Sequence, residues 1–172
     1  MEVKSGDNAT FNIVPDDGYT IDVIKDNGAV VSLSSLASYT LSNVTADHVI
    51  EVTFKVKEGS PLDYLTKSPW YQCYMLSLQP DGSWGEYTKN SGIFKYNFYI
   101  NKNFEFFKDD QLVGWGTWSL ETKTNPMSLN YGGVNFKIEK LTSDSLIYIQ
   151  SGIPELDGTM GSVKAFNSHV KN

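Results

Sequence analysis

Phe94-Lys95-Tyr96-Asn97-Phe98-Tyr99-Ile100-Asn101-Lys102-Asn103-Phe104-Glu105-Phe106-Phe107-Lys108 is the stretch that decides the fold of this chain. Phe94, Tyr96, Phe98 and Ile100 fall on every second position, with Lys95 and Asn97 between them. Side chains alternate across a strand, so these apolar residues share one face. Asn101-Lys102 supplies a turn, and Phe104 and Phe106 give the returning strand an apolar face of its own.

Downstream and upstream of this pair the same period recurs. Further strands are predicted at Trp70–Leu78, Gly114–Glu121, Met127–Asn130, Val134–Leu141, Ser145–Gln150 and Thr159–Phe166, with turns at Asp81-Gly82, Asp109-Asp110 and Gly132-Gly133. Eight short strands joined mostly by short turns predict an up-and-down antiparallel meander. Closing it into an eight-stranded barrel is the economical way to remove exposed edges.

Nearer the N-terminus, strands are predicted at Ala9–Val14, Thr20–Lys25, Ala29–Ser32, Ser38–Leu41 and Val49–Lys57. Asn27-Gly28 is a hairpin signal, because both residues accept positive φ. Ile50, Val52, Phe54 and Val56 alternate with Glu51, Thr53, Lys55 and Lys57, the pattern of a half-buried antiparallel strand. The polar run Lys57-Glu58-Gly59-Ser60-Pro61 is the best boundary. It divides an N-terminal β-module, residues 1–57, from a barrel domain, residues 58–172, which Asp63–Lys67 opens with one helical turn. The whole chain is expected to be all-β.

Composition narrows the function classes. Hydrophobic residues make up 40% of the 172 positions and aromatics 13%, enough to bury a core. A formal net charge of -6 without any basic run argues against a nucleic-acid partner. Cys73 is the one cysteine, so no intramolecular disulfide forms. No apolar run approaches the roughly 20 residues a membrane-spanning helix needs.

Two phrases in the N-terminal module carry a resemblance. Gly6–Phe11, Pro15-Asp16-Asp17-Gly18-Tyr19 and Tyr39…Asn43-Val44-Thr45…Ile50…Phe54 resemble, in order and spacing, a divergent internalin B-repeat. The family implies a small sandwich or grasp-like spacer on an exported bacterial protein. The second domain resembles the lipocalin-like domains of bacterial surface lipoproteins, on Trp70, Gly116-Thr117-Trp118-Ser119-Leu120 and Leu141-Thr142-Ser143-Asp144-Ser145-Leu146-Ile147-Tyr148. It departs from that pattern at Ser68, where the family usually has glycine, and at Asn101-Lys102, where relatives often carry Asp-Gly. These resemblances imply an extracytoplasmic location, at the surface or in the periplasm, and a lipid anchor outside this chain as the one means of membrane attachment. No signal peptide follows Met1, so export implies a processed chain whose targeting segment has been removed.

Catalytic constellations are not visible, and no enzyme, metal or cofactor is expected. His48, His169 and Cys73 share no ligand-like spacing. Asp16-Asp17 and Asp109-Asp110 sit in predicted turns, where Asp bonds its own backbone; a weak calcium site is the alternative. Asn8-Ala9-Thr10 and Asn43-Val44-Thr45 match the glycosylation acceptor pattern, which is short and common.

The aromatic residues hold the functional promise. Tyr96, Phe98, Trp115, Trp118, Phe136 and Tyr148 are the candidates for lining a ligand cavity, and the same alternation equally describes rings that fill the barrel. Trp84, Tyr87 and Tyr99 are candidates for a solvent-facing patch. The leading expectation is a non-catalytic protein whose spacer presents a barrel that binds a small apolar ligand. The alternative is a structural or adhesive component that binds protein or glycan through exposed aromatics, with no small-molecule site.

Overall fold

The computed structural model describes residues 1–33, 37–87, 92–154 and 160–170. The chain forms two compact units, Met1–Glu58 and Gly59–Asn172.

Two small antiparallel sheets make up the first unit. One pairs β1 (Ala9–Asn12) with β4 (Ser38–Leu41). The other has the order β3 (Ala29–Val31), β2 (Tyr19–Asp26), β5 (Ile50–Val56). Asn27 and Gly28 both have positive φ, 47° and 81°, between the paired Asp26 and Ala29, which is the twist a two-residue hairpin requires. Ala9, Ile13, Ile24, Tyr39 and Leu41 form one core, with Phe11, Ile21, Val31, Leu33, Val44, Ile50 and Val52 packed against it. Beside it, His48 Nδ1 lies 2.7 Å from Asp26 Oδ1, and Tyr39 Oη donates to Asp26 Oδ2 at 3.4 Å.

The second unit is a closed eight-stranded antiparallel barrel. After α1 (Pro61–Thr66) come β6 (Trp70–Leu78), the short β7 (Trp84–Glu86), β8 (Phe94–Phe98), β9 (Asn103–Lys108), β10 (Gln111–Glu121), β11 (Ser128–Tyr131), β12 (Val134–Leu141), β13 (Leu146–Pro154) and β14 (Met160–Ser168). From β8 to β14 each strand pairs with the next, β8 also pairs with β6, and β14 pairs back onto β6 to close the ring. β7 pairs with the end of β6, at Leu76–Leu78, and β8 with its start, at Trp70 and Tyr71. The two therefore share one edge of β6. Thr159, expected to begin the last strand, lies outside the described residues.

Tight turns set the registers. Asp109 and Asp110, at φ 51° and 62°, join Lys108 to Gln111; Gly132 and Gly133, at φ 59° and 78°, join Tyr131 to Val134. α1 starts on a cap: Asp63 N–H donates to Ser60 Oγ at 3.1 Å, and Gly59 N–H donates to Asp63 Oδ2 at 2.9 Å. Its apolar side, Leu62 and Leu65, is buried where α1 touches β8 and β12. Trp70, also buried, donates from Nε1 to Leu65 O at 3.0 Å, and the His169 ring lies tilted against its ring with centroids 3.9 Å apart. The starts of β6 and β13 and the ends of β8, β12 and β14 share this end of the barrel by register, so α1 closes it.

Candidate functional site

Five of the six expected interior residues do point inward. Tyr96, Phe98, Trp118, Phe136 and Tyr148 are buried. Tyr131, one residue beyond the predicted strand Met127–Asn130 and the last of β11, joins them. It stacks on Phe136 at 4.4 Å and meets Phe104, Phe98 and Tyr96 edge-on at 5.2, 5.4 and 5.8 Å. Phe98 contacts Trp118 at 5.9 Å, and Phe136 contacts Tyr148 at 4.8 Å. Each pair lies within the range of favourable aromatic contact. This half of the barrel is therefore packed ring against ring.

The polar atoms of these rings find partners inside. Tyr131 Oη and Tyr148 Oη are 3.1 Å apart, Tyr96 Oη donates to Gln72 Oε1 at 3.3 Å, and Asn167 Nδ2 donates to Leu146 O at 3.0 Å. Burial first, and then the neighbouring phenols, pushes the hydroxyls of Tyr96 and Tyr131 well above the ordinary phenol value; burial also raises that of Tyr148.

Trp115 departs from the interior placement expected of it. It is 76% exposed on the outer wall. Trp115 and Trp118 are three positions apart on one strand and so face opposite sides. Gly114, Gly116 and Trp118 point in; Trp115 and Thr117 point out. Ile100 departs too: β8 stops at Phe98, and Ile100 is exposed in the turn.

A bulge sets the rest of the outer wall. The β9–β10 register shifts between Leu112 and Gly114, with Val113 as the additional residue. One additional residue inverts side-chain parity, so Leu112 comes out on the same side as Trp115. Three cross-strand rows result: Lys95–Phe107–Leu112, Asn97–Glu105–Trp115, and Tyr99–Asn103–Thr117. Strands lie about 4.8 Å apart, so the grid spans roughly 10 Å across β8, β9 and β10.

A groove of about 510 Å³ runs over this grid, lined by Tyr99, Asn101, Asn103, Phe104, Glu105, Leu112, Trp115, Gly116 and Thr117. Its size falls within the range of about 300–1,000 Å³ usual for ligand sites. Leu112 is 50% exposed and Tyr99 40%. Glu105 Oε2 accepts from Tyr99 Oη at 2.5 Å and from Asn97 Nδ2 at 3.4 Å. The bond to Glu105 is also the main reason the Tyr99 hydroxyl is raised above its ordinary value. Gly116 has no side chain to cover the inward Phe104 ring beside it: a Cβ there would lie 3.0 Å from Phe104 Cε1. The Phe104 ring is buried and packs against the inner side of this backbone.

Of the expected surface patch, Tyr99 alone belongs to this groove. Trp84 is half-buried under Lys164, whose Nζ sits 4.7 Å from the ring centroid and 2.9 Å from Glu139 Oε2. Tyr87 is half-buried just beyond β7, its N–H donating to Met75 O at 3.2 Å. Among the described residues, no three His, Cys, Asp or Glu side chains are grouped to hold a metal ion. Asp109 instead accepts from Ile93 N–H at 2.8 Å.

Set against known proteins, the chain matches no family model, no curated protein and no solved structure.

Proposed function

We propose that this is a non-catalytic binding protein that recognises its partner on the outer wall of the barrel, at the Tyr99–Trp115 groove. The observation that carries this reading is Trp115: a large flat ring, 76% exposed, held rigidly in mid-strand beside a groove with oriented polar groups. A tryptophan this exposed beside a groove contributes little to packing, and tryptophan is among the side chains that most often anchor interfaces. In the same reading, the N-terminal unit is a spacer and the chain works outside the cytoplasm, a placement supported by the B-repeat and lipocalin-like resemblances. Binding of a small apolar guest inside the barrel has less support, because Tyr96, Phe98, Trp118, Phe136 and Tyr148 already pack on one another through Tyr131.

The test compares the full chain with Trp115→Thr on glycan and protein arrays. Threonine keeps the strand propensity of the site. Loss of array binding in the variant is the expected result. Unchanged binding, or native mass spectrometry finding an apolar guest retained by the purified protein, would overturn the outer-wall reading.

A further inference from the structure

We propose that the occupant of the outer groove is an uncharged carbohydrate chain; this rests on the outer-wall reading and deepens it.

Four features of the groove favour such a ligand. Two of its exposed apolar elements are ring surfaces, the indole of Trp115 and the phenol of Tyr99, and the third is Leu112. A pyranose presents a flat face of C–H groups that lies against such rings. Its polar elements are Asn101, Asn103, Thr117 and Glu105, which can both donate to and accept from hydroxyl groups.

Glu105 is also oriented in advance. Tyr99 Oη and Asn97 Nδ2 both hold Oε2, while Oε1 has no protein partner among the described residues. That oxygen is placed to accept from a ligand hydroxyl, and hydrogen bonds to a charged acceptor are the stronger kind. Asn101 Oδ1 is likewise occupied by Asn103 N–H at 3.1 Å, leaving its amide N–H groups as donors.

Charge decides against the other extended ligands. Glu105 is the one charged residue in the lining, and no cation is among the lining residues. The nearby lysines are turned to rings of their own: Lys95 Nζ is 4.1 Å from the Phe107 centroid and Lys102 Nζ 4.2 Å from the Trp118 centroid. An anionic polymer would meet an unpaired carboxylate in a chain of net charge -6. A neutral chain meets only acceptors and donors.

Titration calorimetry of the full chain tests this, with cellohexaose, chitohexaose, xylohexaose and maltohexaose as neutral probes and an oligogalacturonate as the acidic one. At least one neutral probe is expected to bind, the acidic one not. Loss of a central anchoring aromatic side chain weakens binding by roughly 30-fold, so Trp115→Thr should do so. Glu105→Gln should weaken it by about tenfold, the effect of one charge-assisted hydrogen bond. Trp84→Ala should leave it unchanged. Failure of every neutral probe, or tighter binding of the acidic one, would overturn the carbohydrate proposal. Binding that neither Trp115→Thr nor Glu105→Gln weakens would place the site elsewhere and overturn the outer-wall reading with it. Sedimentation of the same proteins separates the two failures: self-association abolished by Trp115→Thr would make the wall an interface for a second copy, refuting the carbohydrate occupant while keeping the wall as the recognition surface.

Discussion

Truncating Tyr131 to alanine should destabilise the barrel by about 5 kcal/mol. Large-to-small changes at a buried aromatic cost roughly 3–5 kcal/mol, from lost transfer free energy and the cavity left behind. Tyr131 sits at the upper end, since four other rings lie within 5.8 Å of its own. Removing the ring also strips the buried Tyr148 hydroxyl of its 3.1 Å partner, a further penalty of about 1–3 kcal/mol that overlaps in part with the first. Against a typical domain stability of roughly 5–15 kcal/mol, this is a third or more of the total. Tyr131→Phe keeps every ring contact and removes only the hydroxyl, so it should cost about 1–2 kcal/mol. Guanidinium unfolding followed by tryptophan fluorescence reads both variants. All four tryptophans, Trp70, Trp84, Trp115 and Trp118, lie in the second unit, so the signal reports the barrel alone. At a slope of roughly 3 kcal/mol per molar, the alanine variant should lose about 1.5 M in midpoint. A loss below about 1 kcal/mol for alanine would mean that the ring has little packed against it. The barrel interior would then have room to spare, and the small apolar guest would become the better reading.

Three further outcomes follow from the same geometry. Tyr96, Tyr131 and Tyr148 should stay unionised in the native state at pH values that ionise exposed tyrosines. Their folded pKa values lie above the unfolded value of about 10, so their stabilising effect is complete below about pH 10 and is lost as pH rises beyond it; a phenolate absorbance titration that showed all ten tyrosines ionising together without unfolding would contradict this. Ser60→Ala removes the cap of α1 and should lower barrel stability by about 1 kcal/mol, read as a shift of the same fluorescence midpoint. Gly116→Ala drives a methyl inward against Phe104 at 3.0 Å and should cost about 1–3 kcal/mol; an unchanged midpoint would show that the ring gives way freely.

Most of the barrel was legible because its strands are short, alternate strictly and end in turn residues with a mechanism. Trp70–Leu78, Asn103–Lys108 and Val134–Leu141 occupy the spans that alternation predicts. Errors arose where a local signal had two meanings. Gly132-Gly133 reads as a turn, and Tyr131 next to it was left outside β11 although it is the ring on which the interior centres. β7 is three residues with a central glycine, too short to show a period. Trp115 is the instructive case. Its parity relative to Trp118 was available from spacing alone, since odd separations on a strand face opposite ways. The company of Leu112 on that outer wall was not, because it depends on the bulge at Val113, and bulges follow from pairing rather than from composition.

Phe104 stands directly behind the outer groove. Its ring packs on Tyr131 within the barrel, while its chain neighbours Asn103 and Glu105 line the outer groove. The β9 backbone lies between the groove and the aromatic interior here, so recognition and folding share a strand. A guest seated there should stabilise the barrel by mass action, by about 2.7 kcal/mol at a hundredfold excess over its dissociation constant. Conversely, a loosened interior should be felt as weakened binding even when every outer side chain is intact. Changes that touch no ligand, such as Tyr131→Phe, then become a means of adjusting affinity from inside the protein.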